Sequence, residues 1–67
     1  MNEPYKAFVR DFHRCLLELG ISVPEAAAVL YRCPQTVNNW LNYKSVMEGD
    51  DMALIIAKFM HGRYERR

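Results

Sequence analysis

Apolar residues recur along this chain at steps of three and four, and nowhere in the alternating order of a half-buried strand. Tyr5, Phe8, Phe12, Cys15, Leu16 and Leu19 form the first such stripe, which predicts an amphipathic helix over residues 4–19. Pro4 suits its first turn, where no N–H is required, and Gly20 is a natural left-handed stop just past the last apolar position. Ser22 predicts the start of a second helix, with Glu25 as the other half of a capping box, Pro24 in the first turn, and Ala26, Ala27 and Leu30 as the buried face. A third helix is expected over residues 34–43, opened by Pro34 and striped by Val37, Trp40 and Leu41. A fourth is expected over residues 50–60, capped by Asp50 or Asp51, with Met52, Ile55, Ile56 and Phe59 inward and Gly62 as its stop. The fold expected is all-α: a compact bundle of four short helices forming one domain over residues 1–67, in which 61–67 are a short basic tail.

Composition narrows the function without fixing it. Sixty-seven residues, 51% apolar and 25% charged, are enough for one modest core and are not a disordered composition. No apolar run reaches membrane-spanning length, and polar Asn2 and Glu3 follow Met1, so a soluble, cytoplasmic protein without a signal peptide is expected. Cys15 and Cys33 form no close pair and read as free thiols of a reducing compartment. His13, Cys15, Cys33 and His61 match no compact zinc spacing, and His13 and Cys15, two apart on a helix, point to different sides. No metal or cofactor is expected. Nor is an enzyme: His13 with Asp11 or Glu18, or Cys33 with His61, could be paired only on paper.

The formal net charge of +1 is small for a nucleic-acid binder, so charge placement matters more than the total. Glu48, Asp50 and Asp51 cluster in one segment, while Arg63, Arg66 and Arg67 crowd the end of the chain against Glu65. Between residues 23 and 44 only Glu25 is acidic, and Arg32 and Lys44 are basic.

Residues 22–42 are the most informative stretch, because they predict two short helices joined by a tight turn. Ala27 supplies the small side chain that a steep crossing needs, and Val37, ten residues on, can pack onto Ala27 and Leu30. With Trp40 and Leu41 anchored in the core, the third helix presents Gln35, Asn38, Asn39 and Asn42 on its outer face, at spacings i, i+3, i+4 and i+7. That is the layout of a helix-turn-helix, whose second helix enters the DNA major groove.

Over residues 22–44 the chain resembles the small Cro-like and lambda-repressor-like helix-turn-helix regulators of phages and mobile elements. Ala26-Ala27, Leu30 and Gln35-Thr36-Val37-Asn38-Asn39-Trp40-Leu41-Asn42 carry the likeness. The chain departs from that pattern at three positions: Tyr31 where the turn usually has Gly, Arg32 where an apolar residue is usual, and Val23 where a phosphate-contacting Gln is frequent.

The resemblance implies a sequence-specific transcriptional regulator, a repressor binding double-stranded DNA as a homodimer on an inverted repeat, with residues 34–43 as recognition helix. It sets Pro34, Gln35, Asn38 and Asn39 nearest the bases. Asn and Gln can pair bidentately with adenine, each pair being worth about 1–3 kcal/mol of discrimination. Thr36 is expected at a thymine methyl or a phosphate, and Ser22, Asn42, Tyr43, Lys44 and Ser45 along the sugar-phosphate backbone. Arg32 reads equally as a phosphate contact or a solvated turn residue. Leu54 and Leu17 fall opposite the apolar stripes of their helices, and Leu54, Met60 and Tyr64 are the first-choice dimer residues. The near-neutral charge and the unusual turn support a second reading, a helical protein-interaction module (an antirepressor or accessory factor); a third is an architectural or recombination-directing DNA binder.

Overall fold

Four helices and no strand are present among residues 2–61, the residues described by a computed structural model of the protein (side chains through Met60). Helix α1 spans Glu3–Leu19, α2 Val23–Val29, α3 Pro34–Leu41 and α4 Gly49–Ile55, the last continuing as a π-helical segment over Ile56–His61. The all-α bundle expected from the apolar spacing is the fold. No helix is long and apolar enough to cross a membrane among the described residues.

The helix starts follow side-chain capping. Asn2 Oδ1 accepts the Tyr5 N–H at 2.9 Å, and Ser22 Oγ accepts the Glu25 N–H at 3.3 Å, each ahead of a first-turn proline. Helix α4 begins earlier than expected. Glu48, not Asp50 or Asp51, is its N-cap, and Asp51 Oδ2 reaches back from the first turn to accept the Glu48 N–H at 3.3 Å.

The helix stops share one backbone device. Gly20, Tyr31 and Tyr43 take left-handed φ values of 67°, 58° and 59°. In each case the next residue donates back across the turn: Ile21 to Leu16 O at 2.9 Å, Arg32 to Ala27 O at 2.9 Å, and Lys44 to Asn39 O at 2.8 Å. The left-handed residues themselves donate to Leu17 O, Ala28 O and Trp40 O, completing three Schellman motifs. Helix α3 therefore stops at Leu41, two residues short of the expected end, because Tyr43 leaves the right-handed region.

The core is made by Val9, Phe12 and Leu16 of α1, Ala26 and Ala27 of α2, Val37 and Trp40 of α3, and Ile55 and Phe59 behind them, closed by Ile21, Leu30 and Met47. Phe12 and Phe59 meet at 5.8 Å between ring centroids, tilted by 49°. Phe8 and Leu19 lie only partly buried beside this core, and Cys15 is half-buried.

Of the positions expected inward on α4 and its continuation, Ile55 and Phe59 are buried and Met52 is half-buried against the core, but Ile56 is 41% exposed. Leu54, expected on the outer side, also packs half-buried against the core. Asp51, four residues before Ile55, is buried on the same face, its carboxylate held by Arg32 and the Glu48 amide. Met60 is also half-buried, whereas Tyr64 and Gly62 lie outside the described residues.

One long-range clamp joins the two ends of the bundle. The buried Tyr5 hydroxyl accepts the Met47 N–H at 3.0 Å and donates to the Ser45 carbonyl at 3.3 Å, tying the segment between α3 and α4 to the start of α1. Tyr5→Phe keeps the ring but strands the buried Met47 amide. The expected loss of stability is about 1–3 kcal/mol, measured by urea unfolding, against little change if the hydroxyl were idle.

Candidate nucleic-acid interface

Helix α2 packs on α3 across a turn of residues 30–33, and Ala26, Ala27 and Val37 are all buried. This burial fixes which side of α3 is left outward. Gln35 and Asn38 are exposed there, Asn39 is half-buried, and Pro34 lies exposed in the first turn. Gln35 Nε2 donates to Asn39 Oδ1 at 3.1 Å, an i,i+4 pair that orients both amides. Each amide retains donor and acceptor capacity beyond this bond.

The remaining expected contacts divide between the surface and the scaffold. Asn42 is exposed, but its Nδ2 folds back onto the Asn38 carbonyl at 2.9 Å, so its amide closes the end of α3. Lys44 is exposed, Tyr43 is 40% exposed, and Thr36 and Ser45 are half-buried, with the Ser45 carbonyl committed to Tyr5. Ser22 is exposed at the start of α2 with its oxygen engaged as a cap. At the N-terminus of α3, Cys33 makes no side-chain capping bond.

Arg32 has a definite partner. Its Nε donates to Asp51 Oδ1 at 2.8 Å, joining the α2–α3 turn to α4. The hydrogen bond, and then the attraction of the same carboxylate, raise the guanidinium above its ordinary pKa. Asp51 is the one buried charged residue of the described core, and Arg32 and the Glu48 amide together satisfy it. Sequence reading left this pair unseen because the two residues are 19 apart and Asp51 reads as an ordinary cap. From residue 33 to residue 43 the chain carries no charged side chain. The outer face of α3 is therefore polar and neutral.

Of the residues weighed for catalysis or metal binding, the His61 side chain lies outside the described residues. Asp11 pairs with Arg14 at 2.7 Å instead of with His13. Burial, then the nearby Glu18 carboxylate, push the Cys15 thiol up, away from the thiolate. Cys33 is exposed. Among the described residues no group of three or more His, Cys, Asp or Glu could hold a metal.

Compared with known proteins, the chain matches no family model, no curated sequence and no solved structure.

Tyr31 is 82% exposed and sits at φ 58°, where an L-residue is disfavoured by roughly 1–2 kcal/mol. Glycine's extra freedom in the unfolded chain takes back about 0.5–1 kcal/mol. Tyr31→Gly should therefore stabilise the fold by about 0.5–1 kcal/mol, seen as a higher urea midpoint at unchanged slope. A lower midpoint would show that the ring makes a contact that outweighs the strain.

A second expectation concerns the buried carboxylate. Arg32→Gln leaves Asp51 charged and buried, so it should lower the melting temperature more than the double variant Arg32→Gln/Asp51→Asn does. Equal melting temperatures for the single and double variants would mean that the unpaired Asp51 carboxylate carries no burial penalty.

Proposed function

We propose that the protein is a sequence-specific DNA-binding transcriptional regulator, in which α2 and α3 act as a helix-turn-helix and α3 enters the major groove. The observation that carries this reading is the α2–α3 pair itself. A left-handed residue at 31 stops α2 at the position where the related regulators usually have Gly, and Ala27 against Val37 leaves Gln35, Asn38 and Asn39 together on the outer face. The paired amides of Gln35 and Asn39, with Asn38 beside them, are suited to base edges and carry no charge that would bind DNA indiscriminately.

On this reading the protein works in the cytoplasm as a repressor, binding as a homodimer to an inverted repeat whose half-sites lie about 34 Å apart. A neutral recognition face binds a single half-site weakly, since phosphate contacts supply most of the sequence-independent affinity. Leu54 is half-buried in the core, so Ile56, exposed on the same helix and four residues from Met60, is the better dimer candidate.

One observation favours a second reading, a protein-interaction module. An apolar concavity of about 480 Å³ opens between α1 and the start of α4, lined by Pro4, Tyr5, Phe8, Val46 and Met52.

The test is selection of duplex DNA from a random pool, followed by fluorescence anisotropy on the selected site. Asn38→Ala/Asn39→Ala should abolish the preference for that site over scrambled DNA, a loss of about 1–3 kcal/mol per base contact, with circular dichroism unchanged. Unchanged discrimination in the double variant would sink the base-reading assignment. Failure to retain any duplex at low salt would favour the protein-binding reading.

A further inference from the structure

Beside the C-terminal end of α3 lies a shallow cleft of about 170 Å³ that the proposed recognition surface does not use. One wall is α1, which presents Arg10, His13, Arg14 and the aliphatic Leu17, and the other is Leu41 with Tyr43. Arg10, His13, Arg14 and Leu17 are spaced three, four and seven residues apart, so they fall on one stripe of the helix. Tyr43, across from them, is held at φ 59°, and Lys44 follows it on the surface.

We infer that this cleft is a phosphate-binding edge, in which Arg10, His13 and Arg14 of α1, with the Tyr43 hydroxyl opposite, hold the sugar-phosphate backbone of duplex DNA flanking the bases that α3 faces. The inference rests on the DNA-binding reading and extends it to a helix outside the α2–α3 pair.

Three observations support it. First, the face of α3 has no charged side chain and Arg32 is engaged by Asp51, so the positive charge needed for phosphates must come from elsewhere. Second, the two arginines of the cleft are held only by weak, solvent-exposed pairs: Arg10 with Glu3 at 3.8 Å, and Arg14 with Asp11 at 2.7 Å. Such pairs exchange for a phosphate at little cost. Third, Leu17 is 71% exposed in the middle of the stripe, where an aliphatic side chain can lie against a sugar. Guanidinium, imidazole N–H and phenol are all phosphate donors, and none reads sequence from there.

The measurement is the dissociation constant of the selected duplex, and of scrambled DNA, across a range of salt concentrations. It compares the wild type, Arg10→Gln, Arg14→Gln and the double variant. Each single substitution should lower the slope of log affinity against log salt by about one, and the double by about two. At moderate salt the double variant should bind both duplexes about tenfold more weakly, leaving the preference for the selected site intact. Lys58→Gln, which removes an exposed charge outside the cleft, in the π-helical segment after α4, should leave the slope as in the wild type. Unchanged slopes in the arginine variants would overturn the inference while the base-reading assignment stood. So would a fall for Lys58→Gln as large as that for either arginine, since total charge would then be the cause. A wild-type protein that binds neither duplex would overturn both readings.

Discussion

Each of the first three helices is ended by the same backbone device, and the short chain depends on it. A left-handed residue after the helix lets two amides turn back onto the last free carbonyls, so the chain reverses without leaving buried polar groups unpaired. With a core as small as this one, a helix that ran on by a single turn would carry its apolar stripe into solvent. The stops at Gly20, Tyr31 and Tyr43 therefore set the helix lengths, and the lengths set which residues meet. Helix α3, stopped at Leu41, buries Val37 and Trp40 and packs Leu41 partly against the core.

Two polar contacts hold these pieces in register where apolar packing alone would not. Tyr5 brings its ring into the core and its hydroxyl to the 45–47 segment, so the link between α3 and α4 is held by one side chain from the other end of the bundle. Arg32 and Asp51 do the same for the α2–α3 turn against α4. A buried carboxylate is a weak source of net stability, but its directional bonds define a register. Here they hold Asp51 on the face of α4 and its continuation that Ile55 and Phe59 bury.

These long-range contacts mark where reading the sequence stops. The α1 stripe, its glycine stop, the Ser22 cap and the small residues of α2 follow from local rules, and their positions in the fold agree with them. The outward placement of Gln35 and Asn38 was legible for the same reason, since Val37 and Trp40 leave them only one side. The face of α4 was legible at Ile55, Phe59 and the half-buried Met52 but not at Ile56, which lies outward, and the burial of Asp51 beneath Arg32, 19 positions earlier, has no local sign. The early end of α3 was hidden too, because an aromatic residue gives no sign of a left-handed turn. Within the candidate site, the fold-back of Asn42 and the engagement of Arg32 became visible only once the turn geometry was fixed.

The two strained tyrosines bring the fold and the proposed function together. Tyr31 and Tyr43 bracket α3, both at φ values that glycine would adopt without strain, and both keep a phenol toward the surface. Residues held in such sparsely populated backbone regions cluster at functional sites. An eight-residue helix is about 12 Å long, close to the width of the major groove, so its two ends come near the strands that border the groove. On the proposed reading, hydroxyls at those two ends would meet phosphates on either side of the uncharged amide face. Affinity would then come from the borders of α3 and sequence preference from its centre, which is how a domain of net charge +1 could bind DNA without giving up selectivity.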